Sequence, residues 1–540
     1  MSGNKNAVER KLAELERLWL EASDDENARI FIWRTPADSD RLIHVFFALQ
    51  EEQQNDFTTP DLFIRFNTPF DTRYGYSHGL EEEFIERVNV SAFPEPRWQP
   101  VGSLPCYQAD TLHALMSDFA HYHQDYLRYL SVILTASSVS HADSHRQFID
   151  DLCQSIATRT SRFRLLLIDT HENPDWQWLL TRFPENARLL TPDISEDELM
   201  RQTLNETPTS DGTAMLRFRQ LMTDTFISIK KGSAAQTEQL AQKALELARQ
   251  QGWGDQQVIM LSMIAGGWLQ EKHAQNAIKN YRLAIQTSAD LPPEPRHLLI
   301  TQNLMGEGNA WFMDKKPEQA SDAYFRSAQE AQNIPSLLLT MEGYRMAGFS
   351  LMSVTPPPAK TAQHYHAALK AGLSMSDEER AQSGFMQIFR DLLNWLSPEA
   401  TSRSDSFSER YLKAQAELIQ QAEDAVNQAG HHDIATAVVQ HDNELTQRME
   451  TLFQNTLLER EHMLSQEKPL YQQVLRLARQ YSNAFWGAAA EIAHPLDKSV
   501  DEWPFSPLLP PFPTHLTDEN ISLLFGLIFT PSQEPLHAEF

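Results

Sequence analysis

The run Leu165, Leu166, Leu167, Ile168, Asp169 places a carboxylate at the end of an apolar strand, where it could hold a magnesium ion through water. Phosphate binding beside it would need a glycine-rich loop of the form GxxxxGK[ST], because backbone amides must approach the phosphate oxygens closely. The first strand-to-helix turn, Arg34, Thr35, Pro36, Ala37, Asp38, Ser39, Asp40, has neither glycine nor lysine, and GK[ST] occurs nowhere in the chain. Histidines suggest metals at His121 with His123, His141 with His145, His364 with His366, and in the group His431, His432, Asp433, His441, Asp442. Of these pairs only His141 and His145 have the i,i+4 spacing that chelates on one helix face, and no HExxH or paired CxxC accompanies them. The group that follows Gly430 loosely suggests a metal phosphohydrolase, but it sits at a helix junction where solvated and capping side chains are the simpler reading. No GxSxG, kinase signature or dinucleotide fingerprint is visible. A non-enzymatic protein without a cofactor is expected.

The elements that would position Asp169 are five apolar runs, at 28–34, 61–66, 129–137, 162–169 and 187–194, alternating with amphipathic segments. Strands that read as continuous apolar runs between helices predict a parallel sheet covered on both faces, a doubly wound α/β domain over 1–206 with an N-terminal helix. The run ending in Asp169 has the form of a Walker B strand. The domain thereby resembles a degenerate, non-hydrolysing relative of the NTPase modules that precede helical repeats in signalling proteins. That resemblance implies an alternative function, nucleotide sensing, with Asp169 on the metal.

After Thr207 alanine-rich helical periodicity takes over, and two stretches match at a fixed offset. Ala265, Trp268, Ala277, Tyr281 and Ala284 correspond to Gly308, Trp311, Ala320, Tyr324 and Ser327, every pair 43 residues apart. The small residue lies one turn before the tryptophan, and the next three fall at i, i+4 and i+7, so each set shares a helix face. The pattern resembles the tetratricopeptide repeat, with longer connections such as SADLPPEPRH between hairpins. Weaker units flank it, one with Ala241, Ala244 and Ala248, the other with Tyr365 and Ala368, which extends a repeat array over 207–376. The aromatic residues are expected in the core. A ligand-facing row is expected on the first helices, at Gln302, Asn303 and Glu307.

A third region, 377–494, reads as helical, with breaks at 397–409 and 428–433. Within it Ile434, Val438, His441, Leu445, Met449, Leu452 and Thr456 form a stripe expected to pack on the preceding helix, or to support self-association. Residues 495–540 form a proline-rich tail ending in an apolar segment too short to span a membrane. The N-terminus reads as an amphipathic helix rather than a signal peptide. With 73 acidic and 46 basic residues the formal net charge is −27, which disfavours nucleic acid and anionic membranes and favours a basic or amphipathic protein partner. Two cysteines, Cys106 and Cys153, are too few for a disulfide framework and suit a reducing cytoplasm. The expectation is a cytoplasmic adaptor or chaperone-like protein that holds a protein client, as a bacterial accessory factor would.

Overall fold

The computed structural model describes residues 6–51, 59–91, 97–100, 105–193, 196–206, 212–429, 433–481 and 517–529. Its contacts separate two units, one of Met1–Thr207 with Lys413–Gln454, the other built on Pro208–Leu412 with the described residues after 454. The helical region expected at 377–494 is therefore shared between them.

In the first unit α1 (Ala7–Ser23) precedes β1 (Ile30–Thr35), α2 (Asp40–Glu51), β2 (Leu62–Phe66), α3 (Arg73–Val90) and α4 (Ala109–Tyr122). Then follow β3 (Leu130–Leu134), α5 (Ala142–Thr158), β4 (Phe163–Thr170), α6 (Gln177–Arg182), β5 (Ala187–Leu190) and α7 (Glu196–Glu206). All five expected strands form. They make one sheet in the order β2-β3-β4-β1-β5, with every pairing parallel. Alternate side chains feed two cores: Ile30, Ile32, Leu165 and Leu167 join α3, α4 and α5, while Phe31, Trp33 and Leu166 join α1 and α2. Burial on both sides explains why the strands read as unbroken apolar runs. Phe46 and Phe47 of α2, which follows β1, lie on one side; Leu179 of α6, which follows β4, lies on the other. The β1/β4 boundary is thus the switch point of the sheet.

The second unit begins with α8 (Gly212–Lys231), α9 (Ala234–Gln251), α10 (Gly254–Gln270), α11 (Ala274–Ser288), α12 (Pro293–Met313) and α13 (Pro317–Ala331). It continues with α14 (Leu337–Met352), α15 (Lys360–Leu373), α16 (Asp377–Ala381) and α17 (Phe385–Leu396). α18 (Pro398–Asn427) and α19 (Ile434–Ser465) are divided between the two units, and α20 (Pro469–Arg479) and α21 (Asp518–Phe529) belong to the second. From α8 to α15 each helix packs on the next one in sequence, which is compatible with a helical repeat.

The interval of 43 read in the side chains is also an interval of the backbone: the end of α10, both ends of α11 and their counterparts in α12 and α13 all differ by it. Both hairpin turns place a lysine in the left-handed region, Lys272 at φ 63° and Lys315 at φ 58°. In both, the amide three residues after the helix closes on the tryptophan carbonyl, His273 to Trp268 at 2.9 Å and Lys316 to Trp311 at 3.0 Å. Tyr281 and Tyr324 are buried as expected. Trp268 and Trp311 are only half-buried, and their Nε1 atoms donate to Glu238 and Glu307. A Cβ on Gly308 would lie 2.6 Å from the Tyr324 ring, so that contact needs glycine, and Gly348 stands in the same relation to Tyr365. The third pair, α14 and α15, is therefore a looser copy at intervals of 40 and 41.

Two expectations change. Residues 398–409 are not a break: Ser397 Oγ accepts from the Ala400 amide, Pro398 opens α18, and Ala400, Ser404, Phe407 and Tyr411 bury one helical face. Their Ser, Thr and Asp content mimics a loop, but packing decides. The apolar end of the expected tail is α21, whose Phe525 and Phe529 stack on Tyr365 at 6.2 Å, closing the apolar face of the last pair. The stripe of α19 packs on α18 as expected, through Leu445 and Met449 against Ile419 and Ala422. His431, His432 and the proline-rich passage lie outside the described residues. Among the described residues no helix is long and apolar enough to cross a membrane.

Candidate protein-binding face

Asp169 ends β4 at the switch point, where open parallel sheets usually receive ligands. Its carboxylate is already engaged. In the register Arg34 of β1 lies opposite Asp169, and its Nη2 and Nε donate to Oδ2 at 2.6 and 3.2 Å. The amides of Asp175 and Trp176 donate to the same carboxylate at 3.1 and 3.3 Å. Both partners of the ion pair are buried, so the pair fastens the loop after β4 to β1. This arrangement supplies a lock between strands rather than a vacant metal ligand.

Two of the histidines proposed as metal ligands are engaged by neighbouring side chains. His145 stands among the rings of Phe70, Tyr76 and Trp176, and burial pulls its pKa down to about 4. His441 meets Glu444, and Asp442 accepts from the Tyr74 hydroxyl. Among the described residues no group of three His, Cys, Asp or Glu side chains could hold a metal.

In the helical unit the proposed row separates. Gln302 is exposed, whereas Asn303 and Glu307 are each only 2% exposed. Asn303 accepts from Ser262 Oγ of α10 at 2.7 Å and donates to the Leu299 carbonyl at 2.8 Å. Glu307 accepts from Arg282 Nε of α11 at 2.7 Å and from Trp311 Nε1 at 3.1 Å. These two side chains therefore seat α12 against its neighbours. A helix turns about 100° per residue, so positions one and five after Gln302 point between helices while Gln302 points out.

Gln302 marks the outward stripe of α12: Leu298, Gln302, Met305, Asn309 and Phe312, spaced four, three, four, three. Subtracting 43 gives Asp255, Ile259, Ser262, Gly266 and Leu269 on α10, every one at least partly exposed. Adding 40 gives Leu338, Glu342, Arg345, Phe349 and Met352 on α14, again all at least partly exposed. Counting back 40 from α10 gives Met215, Arg219, Met222, Phe226 and Ile229 on α8. First helices also touch first helices, α8 to α10, α10 to α12 and α12 to α14. The stripes accordingly run side by side, and the rings of Phe312 and Phe349 lie 5.9 Å apart.

The resulting face is mixed: exposed apolar side chains and partly buried methionines alternate with Arg219, Asp255, Gln302, Asn309, Glu342 and Arg345. Phe312 is 40% exposed, Phe226 44% and Leu338 48%. An apolar patch of recurring positions marks an interaction surface, and methionines let such a surface adapt to its ligand. The face was legible in principle, since the offset that aligned the buried aromatics also aligns these outward positions. No known protein family matches the chain, and no curated protein matches it.

Proposed function

We propose that this protein is a non-enzymatic adaptor or chaperone-like accessory protein that holds a protein client on the first-helix face of a tetratricopeptide-like array. The observation that carries the reading is the set of exposed apolar side chains on the outward stripes of α8, α12 and α14, with the partly buried Ile259 and Leu269 of α10 between them. Helix pairs with a small residue against an aromatic one suit that repeat family, and helices on both faces of the sheet suit the doubly wound class. The client is an amphipathic segment whose apolar side meets Phe226, Phe312, Phe349 and the methionines, with basic flanks attracted by the net charge of −27. A cytoplasmic setting, as for a bacterial accessory factor, suits the two cysteines, both free and buried. The nucleotide-sensing alternative rests on Asp169, and the ion pair with Arg34 counts against it.

The test is fluorescence anisotropy of a labelled basic amphipathic helical peptide with the full chain. Saturable binding is expected, weakened at least tenfold by Phe312→Glu because a charge then faces the apolar side of the peptide. The melting temperature should hold, since Phe312 is exposed. Equal binding by both chains moves the client off this face.

A further inference from the structure

The amino end of the sheet carries a cavity of about 720 Å³ lined in part by the ring of Tyr129. Three guanidinium groups gather round that ring, with Arg164, Arg29 and Arg128 at 3.6, 5.0 and 5.5 Å from its centroid. The topology explains the gathering. Arg29 directly precedes β1, Arg128 and Tyr129 precede β3, Arg162 precedes β4 and Arg164 lies within it, and parallel strands bring their starts to one end.

Arg164 is completely buried and held by Asp61 at 3.4 Å and the Ser23 carbonyl at 2.6 Å. Burial pulls its pKa down to about 10 against the attraction of Asp61, and Arg128 and Arg29 add repulsion. The local excess is cationic. Arg29, Arg128 and Arg162 line the cavity, and among the described residues no carboxylate lies within ion-pair distance of any of them. Their hydrogen-bond partners are backbone carbonyls: Arg29 donates to Ser161 at 3.2 Å, to Ala28 and to Glu26, Arg128 to Ser23, and Arg162 to Arg128 at 3.1 Å. Those carbonyls carry partial charges only, and each guanidinium keeps donors beyond the ones so used. Asp24 and Glu26 also line the cavity, with no ion pair between their carboxylates and these arginines.

A second cavity of the same unit, about 690 Å³, shows the opposite pattern. There Arg73 meets Glu423 at 3.2 Å and Asp424 at 2.8 Å, and Arg159 meets Asp110 at 3.5 Å. Each cation in it is matched. Concentrating unmatched arginines in one cavity of an otherwise acidic chain makes a local positive field. Hydroxyls are also present: Thr160 and Ser161 line the cavity, and the buried Ser117 Oγ beside them has no hydrogen-bond partner among the described residues.

We propose that this cavity binds a small molecule bearing a phosphate or diphosphate group, gripped by Arg29, Arg128 and Arg162. Guanidinium forks match phosphate oxygens in pairs, and the volume is that of an ordinary small-molecule site. The site lies in the α/β unit and is independent of the client-binding reading.

Isothermal titration of the full chain with inorganic pyrophosphate, at constant ionic strength, tests it. One saturable site is expected, weakened at least tenfold in Arg162→Gln through the lost charge-assisted hydrogen bonds. Thr160→Glu, an exchange at an exposed position, should abolish binding by setting a negative charge at the mouth. Arg159→Gln, in the matched cavity, should leave it unchanged. Melting each variant without pyrophosphate confirms that it is folded. No saturable heat at millimolar pyrophosphate, equal affinity in folded Thr160→Glu, or equally tight binding of citrate would overturn the assignment.

Discussion

The two units dispose of their conspicuous residues in opposite ways. In the α/β unit the residues that look chemical are consumed by the fold: Asp169 is locked to Arg34, and His145 is walled in by aromatic rings. In the helical unit the residues that look structural are left over, with Phe226, Phe312 and Leu338 exposed on the outward stripes of α8, α12 and α14. A parallel sheet buries both its faces, so the Asp169 carboxylate, buried at the carboxyl end of β4, is held by the arginine opposite it on β1. A stack of hairpins buries only the sides along which helices meet, so one face of each first helix is free to carry apolar groups to a client. Reactive residue types are therefore a poor guide to function here, and position within the layer is a better one.

The largest effect that would sharpen this contrast is expected at the strand lock. Asp169→Ala leaves Arg34 buried without a counter-charge and should cost about 3–5 kcal/mol in urea denaturation. The exposed Gln302→Ala should cost less than about 0.5 kcal/mol. Comparable losses would erase the distinction between a consumed and a free polar residue. Next comes acidification. Buried His113, between Ser155 and Ser161, has its pKa lowered from 6.5 to about 4 by desolvation, helped by Arg159. The folded state therefore binds fewer protons than the unfolded state between those values. Stability should fall as pH drops from 6.5 towards 4, by on the order of 2 kcal/mol for this residue. His113→Gln should flatten that part of the curve; an unchanged slope would assign it to other groups. The smallest effect probes the repeat itself. Lys315→Gly and Lys272→Gly relieve a left-handed backbone and should each stabilise by about 0.5–1 kcal/mol in thermal melts. Unequal responses would show that the two turns are copies in shape but not in energy.

Much of the framework was legible before folding. All five strands follow from continuous apolar runs, and the pair α10/α11 and α12/α13 from an offset that survives in side chains, helix ends and turn geometry. Local composition misled at 398–409, where serine and threonine suggested a loop although Ala400, Phe407 and Tyr411 needed burial. It misled again at Asn303 and Glu307, whose polarity suggested exposure although each is bonded to a neighbouring helix. Polar residues buried between helices resemble surface residues in a sequence because their partners lie 25 to 41 positions away.

What the sequence determined alone is periodic: the alternation of strands with helices, and the interval of 43 that sets small residues against aromatic ones. Periodicity is a local property of the chain and needs no knowledge of distant partners. Only the tertiary structure decided which charges met. Strand order set Arg34 beside Asp169, and it brought Arg29, Arg128 and Arg164 around Tyr129 at the other end of the sheet. Pairing of charges depends on distance in space, and a parallel sheet joins residues more than a hundred positions apart while leaving the sequence between them silent about it.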